Sequence, residues 1–289
     1  MNPVHINLDD AWDAAQLQQI GIPTIDARPL GPHLRYIAPE KIIRQSLQTL
    51  SERLTPDDRL LLYGSGDFHY LAAWWLRRAI DLTHARHVTL LSFDNHPDWD
   101  IRPPRWSCGG WINRALEFPE VAHASVWGCG NFELAFPSRL FRNKKALATG
   151  KLAVHAWAER QSPKVATLFN CMTRNNWRER FTNFAAGLAG KNIYITLDLD
   201  ALTPDTAITN WENGLFTPED LLWSMQQLRN ATLIGLDICG ACSPQLYARP
   251  LQLAAARFDH PKQPAPSLPD AQRVNLHTLH QLWPALTRT

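Results

Sequence analysis

Apolar runs that are rich in β-branched and aromatic residues recur along this chain, and stretches with helical character separate them. The apolar runs lie at residues 59–63, 87–93, 124–127, 152–155, 192–197 and 231–238. Helical segments are predicted near residues 70–80, 112–116, 162–168 and 177–188. Apolar runs of this length suit strands that are buried on both faces, as in a parallel sheet. The alternation therefore predicts an α/β fold in which helices cover a mostly parallel sheet.

Two local patterns refine this division of the chain. Thr217, followed by Pro218 and two acidic residues, predicts a helix start with an N-cap and a proline in the first turn. The prolines between Pro261 and Pro269 predict a loop or linker, and the segment after it is too short for another domain. Since no internal repeat is visible, we expect one domain that spans residues 1–289.

Side chains that bind metals follow two of the predicted strands. Asp94, His96 and Asp98 come directly after the second apolar run, and Asp198 and Asp200 close the fifth. Alternate residues of a strand share one face, so each set would converge if the extended geometry continues. Ligands of open α/β sheets gather at the carboxyl ends of the strands. Because four carboxylates repel one another without cations, the pattern predicts a divided site for two divalent ions.

Composition narrows the classes of function. The chain has 289 residues, 45% of them hydrophobic, and a net charge of +2 with no block of like charge. This balance gives no indication of nucleic acid or a membrane surface as a partner. The N-terminal residues lack a basic region followed by an apolar core, and no apolar run reaches the about 20 residues that span a bilayer. We therefore expect a cytoplasmic protein.

The cysteines do not form an obvious disulfide framework, because there are five of them. Cys239 and Cys242 have the CxxC spacing of redox pairs and of half zinc sites, but no second CxxC is present. Two buried small hydrophobic residues are the favoured interpretation, and redox or zinc chemistry is the alternative.

The order and spacing of four motifs resemble a known family. Asp94-Asn95-His96-Pro97-Asp98 looks like the D-x-H-x-D motif of the arginase, agmatinase and formiminoglutamase (ureohydrolase) superfamily, and Asp198-Leu199-Asp200 resembles its later D-x-D motif. Residues 213–219 resemble the Gly-rich turn and helix start that follow, and residues 64–69 resemble the upstream G-G-D-H motif with one residue inserted. The resemblance covers residues 59–244.

This resemblance implies a three-layer αβα fold with a central mostly parallel sheet, and two manganese ions as cofactors. One ion would be held by His69, Asp94, Asp98 and Asp198, and the other by Asp94, His96, Asp198 and Asp200. Imidazole and carboxylate ligands without thiolate agree with manganese, and zinc, iron, cobalt and nickel stay open. Family members use such a pair to hydrolyse guanidinium or amidine carbon-nitrogen bonds of small molecules, and they commonly form homo-oligomers.

One departure from the family concerns the substrate. Family members carry a D-x-x-E-x-x-P motif, in which the glutamate holds the guanidinium group. The corresponding stretch here runs from Asp237 to Pro244, and the glutamate position falls on Gly240 or on Ala241, depending on the end from which it is counted. A planar cation is best held by a carboxylate that forms paired charge-assisted hydrogen bonds. The loss therefore argues against arginase activity.

A second departure concerns proton transfer. Arginase-like proteins carry a His-Gly pair after the first metal motif, whereas this chain has Cys108 followed by Gly109. Cys108 is thus a candidate catalytic acid-base group, with a buried inert thiol as the alternative.

Further candidate residues lie near both motifs. Trp99, Trp106 and Trp111 would give the site an aromatic rim. Asp237 is a candidate catalytic residue that would support a metal ligand, and the alternative is an acid that caps the next turn.

The leading hypothesis is a dinuclear, manganese-dependent hydrolase that cleaves a linear amide, amidine or guanidino bond, but not that of arginine. Two alternatives stay open. A deacetylase-like amide hydrolase would share the fold and also lack the glutamate, although such enzymes typically use a His-His pair that is missing here. A metal-binding protein without catalysis, with a binding or regulatory role, would explain the loss of both the glutamate and the histidine.

Overall fold

The computed structural model describes residues 1–262 and 266–287, so residues 263–265 of the predicted proline-rich loop lie outside the described residues. Eight strands are found: β1 (Asn2–Asn7), β2 (Thr24–Asp26), β3 (Asp58–Leu62), β4 (Val88–Phe93), β5 (Val121–Cys129), β6 (Leu152–Ala156), β7 (Asn192–Asp198) and β8 (Thr232–Cys239). All six apolar runs of the sequence become strands, β3 to β8.

The described residues also form eleven α-helices. They are α1 (Ala14–Gln19), α2 (Gly31–Leu34), α3 (Glu40–Ser51), α4 (Leu71–Thr83), α5 (Trp111–Ala115), α6 (Lys144–Ala148), α7 (Pro163–Leu168), α8 (Trp177–Ala186), α9 (Pro218–Gln227), α10 (Pro250–Asp259) and α11 (Leu268–Leu286). The predicted start of α9 is confirmed, because the Thr217 and Asp220 side chains form a capping box there. None of the helices in the described part of the chain is long and apolar enough to cross a membrane.

The strands form one parallel sheet in the order β2-β1-β3-β8-β7-β4-β5-β6. The prediction of a mostly parallel central sheet is confirmed. β3, β8, β7 and β4 occupy the middle of the sheet, and their carboxyl ends open on the same edge. This edge is where parallel sheets bind ligands.

Helices cover both faces of the sheet, because successive strand side chains enter two separate apolar clusters. Leu90 of β4 belongs to a cluster that includes residues of α3, α4 and α5. Its neighbour Leu91 belongs to the other cluster, which includes residues of α8, α9 and α11. The three-layer αβα fold is therefore confirmed.

The N-terminal strands and the C-terminal helices were not predicted from the sequence. β1 lies near the edge of the sheet, and its polar residues and Pro3 break the apolar run that marks a buried strand. Helix α11 contains Pro269 in its first turn, where proline is tolerated, and Pro284 close to its end. Because prolines are usually taken to mark loops, the sequence did not predict this helix of 19 residues.

Candidate metal centre

The middle of the sheet delivers the predicted metal ligands to one place. β4 ends immediately before Asp94, β7 ends at Asp198, and the two strands are neighbours. His69 follows a short 3-10 helix, Gly66–Phe68, that leads from β3 into α4. All three side chains are almost fully buried. Parallel neighbouring strands thus place residues that are far apart in sequence at one edge of the sheet.

The side chains converge through turns, and not through a continued strand. β4 ends at Phe93, and the φ angle of Asp98 is +46°, which is outside any extended conformation. Asp200 lies in the 3-10 helix Leu199–Ala201 that follows β7. The reason given in the sequence prediction, strand alternation, is therefore wrong, although the residues that it selected do come together.

Three carboxylates surround the first histidine. His69 Nδ1 lies 3.2 Å from Asp94 Oδ2, 3.2 Å from Asp98 Oδ2 and 3.4 Å from Asp198 Oδ2. An imidazole nitrogen that faces several carboxylate oxygens at such distances is typical of a site that holds a cation between them. This geometry agrees with the ligand set that the resemblance implies for one ion.

The second histidine forms an overlapping group. His96 Nδ1 lies 2.8 Å from Asp200 Oδ2 and 3.6 Å from Asp94 Oδ1. Asp94 therefore turns one carboxylate oxygen to each histidine. The ligand atoms of His96, Asp94 and Asp200 lie within 4.8 Å of one another. We call the six residues of both groups the metal-ligand cluster: His69, Asp94, His96, Asp98, Asp198 and Asp200.

Burial and mutual repulsion raise the pKa values of three carboxylates of this cluster. Burial and the neighbouring Asp94 raise the pKa of Asp98 to about 7, and burial and Asp200 raise the pKa of Asp198 to about 8. Burial also raises the pKa of Asp200 to about 6. For Asp94, burial acts to raise the pKa, but the two neighbouring histidines, His69 and His96, outweigh it and lower the pKa. Without added cations, the cluster must retain protons near neutral pH.

Several buried atoms of the cluster have no hydrogen-bond partner among the described residues. They are Asp94 Oδ2, Asp200 Oδ2 and His96 Nε2. Buried polar atoms are normally satisfied, and an orphaned one calls for a physical explanation. Two of these atoms are carboxylate oxygens beside histidine nitrogens, which are the ligand types that divalent metals take. The residues therefore fit a pair of divalent ions.

A series of hydrogen-bonded polar side chains holds the ring of His69 in place. Thr196 Oγ1 lies 2.9 Å from His69 Nε2 and donates to Asp237 Oδ1 at 2.8 Å. Asp237 is fully buried and also accepts hydrogen bonds from Tyr63 and Tyr194. Asp237 does not line the cavity and reaches His69 only through Thr196, so it lies where the predicted support of a metal ligand requires it. The alternative of a turn cap does not apply, because Asp237 lies within β8.

Trp111, one of the three residues expected at the rim of the site, instead holds a predicted metal ligand in place. Trp111 is fully buried, and its indole nitrogen donates a hydrogen bond to Asp98 Oδ2. Trp106 donates to Glu40, away from the metal-ligand cluster. Trp99 is buried but lines the adjoining cavity described below. The expected aromatic rim is thus formed by Trp99 alone of the three residues.

The cavity over the cluster is lined by further side chains. Cys108 lines it, as expected, but burial raises the pKa of the thiol well above its usual range. The sequence did not point to Glu133, Trp211 and Asp259, which also line the cavity. Burial raises the pKa of Glu133 to about 8, and the Trp211 ring lies 5.2 Å from that of His96. These residues lie outside the four motifs, so no sequence pattern marked them.

A larger cavity of about 610 Å³ adjoins the metal-ligand cluster. The two cavities share Cys108, Gly109, Glu133 and Asp259 in their walls. The larger one is lined by aromatic rings, namely those of Tyr36, Trp99, Phe132, Phe141 and Phe258. A substrate whose reacting group reaches the cluster therefore has room for a further portion in an aromatic chamber.

The structure also explains why the family's glutamate is missing. Gly240 follows β8 with a φ angle of +93°, and a Cβ atom at this position would lie 2.0 Å from Asp198 Oδ1. Any side chain there would displace a predicted metal ligand. Ala241 is fully buried in an apolar cluster. Neither position can supply a carboxylate to the cavity.

A second group of buried charges lies beside the metal-ligand cluster. Arg35 donates to Asp9 Oδ2 at 2.7 Å and to Asp67 Oδ2 at 2.9 Å, and His260 Nε2 lies 2.7 Å from Asp67 Oδ1. We call these four residues the Arg35 cluster. Asp67, which precedes His69 by two residues, directs its carboxylate oxygens to Arg35 and His260 and not to the metal-ligand cluster.

Comparison with known proteins shows the fold. No family model matches the chain. A protein of Thermotoga maritima described as uncharacterized is 26% identical over 182 residues, which are 63% of this chain and 57% of that protein's length. The chain thus matches less than two thirds of this relative.

Two solved structures cover nearly the whole chain. The arginase from Bacillus subtilis has 12% identity and a TM-score of 0.56, and the match covers 100% of this chain and 99% of the arginase. A hypothetical agmatinase from Burkholderia thailandensis has 17% identity and a TM-score of 0.54, with 98% and 85% covered. At these identities the likeness shows the fold, and it agrees with the resemblance seen in the motifs.

Proposed function

We propose that this chain, which has the fold of arginases and agmatinases, is a dinuclear metal hydrolase of a linear carbon-nitrogen bond in a small molecule other than arginine. The observation that carries the proposal is the convergence of the six residues of the metal-ligand cluster at the carboxyl edge of the sheet. Their buried, unpartnered oxygens need cations, and the adjoining chamber offers room for a substrate.

The metal-ligand cluster would hold two divalent ions, and manganese is the metal that the resemblance favours. His69, Asp94, Asp98 and Asp198 would hold one ion, and Asp94, His96, Asp198 and Asp200 the other. A pair of such ions lowers the pKa of water, so that it becomes a nucleophile near neutral pH, and polarises the bond under attack.

The protein's own side chains would orient the site and move protons. Thr196 and Asp237 fix the ring of His69, and Trp111 fixes the carboxylate of Asp98. Glu133 lines the cavity over the metal-ligand cluster, and its carboxyl group is the candidate acid that would give a proton to the leaving nitrogen. Cys108 lines the same cavity, but its raised pKa makes the thiol a weak proton carrier.

The walls of the chamber favour a particular kind of substrate. The carboxyl groups of Glu133 and Asp259 lie where the two cavities meet, and the aromatic rings beyond them favour an apolar or aromatic portion. We therefore expect an amidine, guanidino or amide compound with a bulky portion beyond its reacting group. Arginine is disfavoured as the substrate, because positions 240 and 241 supply no carboxylate that could bind its guanidinium group.

The two alternative hypotheses make different demands on the site. A deacetylase-like enzyme would need a histidine pair as acid-base group, and the only histidines in the wall of the metal cavity, within the described residues, are His69 and His96 of the cluster itself. A binding protein would hold the metals without turnover. A cytoplasmic location and a homo-oligomeric assembly stay predictions from the sequence.

A reconstitution experiment tests the proposal. Protein stripped with a chelator would be loaded with Mn²⁺, its metal content measured by mass spectrometry, and guanidino, amidine and acetylated amine compounds screened for release of the leaving product. We expect two ions per chain and turnover of at least one compound class, and we expect Asp94→Ala and Asp198→Ala to abolish it. Asp205→Ala, an exposed acid, is the matched control and should leave turnover unchanged.

The outcomes separate the hypotheses. Fewer than one ion per chain after loading would contradict a metal centre altogether. Two ions without turnover on any compound would favour the binding protein. Turnover of acetylated amines alone would favour the deacetylase-like alternative. Circular dichroism would confirm that each variant keeps the wild-type fold.

A further inference from the structure

The end of β8 places a thiol in the metal-ligand cluster. Asp198 and Cys239 are register partners on the neighbouring parallel strands β7 and β8. Cys239 is fully buried, and its Sγ donates to Asp198 Oδ2 at 3.2 Å. The same carboxylate oxygen lies 3.4 Å from His69 Nδ1. Sulfur, carboxylate and imidazole thus meet at one point.

The three ligand atoms are close enough to bind one ion. Those of His69, Asp198 and Cys239 all lie within 4.8 Å of one another, and each of these residues is buried. Asp94, whose Oδ2 lies 3.2 Å from His69 Nδ1, is also buried, and that oxygen has no hydrogen-bond partner among the described residues. An unsatisfied buried carboxylate oxygen beside the same imidazole independently indicates a cation at this place.

The CxxC motif does not act as a pair. Cys242 lies three residues further on and takes a weak hydrogen bond from Asn210 Nδ2 at 3.6 Å, away from the metal-ligand cluster. Between the two cysteines, Gly240 with its φ angle of +93° turns the chain. Cys239 therefore contacts the metal-ligand cluster, and Cys242 lies in the loop that follows.

We propose that Cys239 is a ligand of the ion that His69 and Asp198 hold, and that this position selects zinc, iron(II) or cobalt over manganese. The inference rests on the proposed dinuclear metal centre. When the ion binds, the sulfur forms a bond to it and the thiol proton leaves to solvent, so no oxidant or reductant is required. A thiolate favours softer metals, whereas a site of carboxylates and imidazoles alone suits manganese.

Cobalt is the probe that tests this inference, because a thiolate bound to Co²⁺ gives a charge-transfer absorption band in the near ultraviolet. Metal-free protein would be loaded with Co²⁺, the bound metal counted by mass spectrometry, and the spectrum recorded. The wild type should show the band, and Cys239→Ser should lose it. Cys242→Ser and Cys108→Ser are matched controls, since both remove a nearby thiol, and they should keep it.

Metal competition provides a second measurement. Removing a ligand should lower the affinity for Zn²⁺ at least about tenfold in Cys239→Ser, while the affinity for Mn²⁺ should change less than about threefold. Serine is close to cysteine in size, and thermal unfolding of the metal-free variants would confirm an intact fold.

The inference is overturned if Co²⁺ binds to the wild type without the band, if Cys239→Ser keeps the band, or if only Cys108→Ser loses it. Equal loss of Zn²⁺ and Mn²⁺ affinity in Cys239→Ser would also contradict it, because the selection between metals would then not come from sulfur. Failure of the wild type to bind any of the three metals would be a different result, since it would contradict the proposed metal centre itself.

Discussion

Two groups of buried acids lie side by side at the carboxyl edge of the sheet, and their negative charges are balanced in different ways. In the Arg35 cluster, a buried arginine donates to Asp9 and Asp67 at 2.7 and 2.9 Å. Burial acts to raise the pKa of Asp67, but His260 and Arg35 outweigh it and hold the pKa below its ordinary value. This cluster carries its own cation.

The metal-ligand cluster has no arginine or lysine within salt-bridge distance among the described residues. Its two histidines face the four carboxylates of the cluster, and His96 Nε2 also lies 3.5 Å from Glu212 Oε2. Burial and neighbouring acids raise the pKa values of Asp98 and Asp198 to about 7 and about 8. Burial acts to raise the pKa values in both clusters, and at Asp67 the neighbouring His260 and Arg35 outweigh it. The Arg35 cluster thus carries its own arginine, whereas the metal-ligand cluster would gain further positive charge from bound metal ions.

The largest effect is expected when the internal cation is removed. Arg35→Met leaves Asp9 and Asp67 buried beside no guanidinium, so we expect a loss of about 3–5 kcal/mol in the free energy of unfolding, measured by chemical denaturation. Arg28→Met is the control, because Arg28 pairs with Asp26 and Asp10 on the surface, and exposed pairs contribute only about 0–1 kcal/mol. Equal small losses in both variants would remove the distinction between the clusters.

Removing a carboxylate from the metal-ligand cluster should have the opposite sign in the metal-free protein. Asp198→Asn relieves repulsion, so its free energy of unfolding without metal should equal or exceed that of the wild type. With metal at a hundred times its dissociation constant, the wild type should gain about 2.7 kcal/mol for each ion bound, and the variant far less. A variant that is clearly less stable than the wild type without metal would show that repulsion does not dominate the contribution of Asp198 to the metal-free fold.

Removing the Thr196 hydroxyl that contacts His69 should weaken metal binding more than it destabilises the fold. Thr196→Val removes the hydroxyl that lies 2.9 Å from His69 Nε2, and we expect metal affinity to fall by about 10–100-fold. Thr232→Val, at the exposed start of β8, is the matched control and should leave the affinity unchanged. Titration calorimetry measures both variants. An unchanged affinity in Thr196→Val would mean that the ring of His69 needs no such anchor.

The dependence on pH should also distinguish the two clusters. Asp98, Asp198 and Asp200 have raised pKa values of about 7, 8 and 6, so the folded metal-free protein keeps protons that the unfolded chain releases near pH 4. Their contribution to stability is therefore present at low pH and is lost as the pH rises toward about 8.

Metal ions would displace these protons. We expect proton release on metal binding and an affinity that rises with pH by roughly tenfold per unit for each proton displaced. Calorimetry in buffers of different ionisation enthalpy counts the protons. Binding without proton release between pH 6 and 8 would contradict the raised pKa values.

The sequence indicated the metal-ligand cluster well, because its residues follow the most apolar strands and lie in short motifs. It gave the wrong reason for their convergence, since the turn at Asp98 and the 3-10 helix at Asp200 cannot be distinguished from a continued strand by residue spacing. The buried strands β3 to β8 were equally visible. β1, near the sheet edge, and α11, which contains prolines, were not.

The contacts that the sequence could not predict join elements that are distant along the chain. Cys239 faces Asp198 because β7 and β8 are neighbours in one particular register, and the order of strands cannot be read from a single sequence. Arg35 and Glu133 lie outside every motif and gain their roles from the folded chain. Sequence motifs therefore identify the predicted metal ligands. The residues that hold these ligands in place, balance their charge or line the cavity can be identified only from the structure.

A crystal structure of protein grown with Mn²⁺, with anomalous diffraction recorded, tests the central claim most directly. The account predicts two anomalous peaks in the metal-ligand cluster, one beside His69 and one beside His96, and none in the Arg35 cluster. Absence of both peaks at saturating metal, with the side chains of Asp94 and Asp198 in direct contact with each other instead, would contradict it.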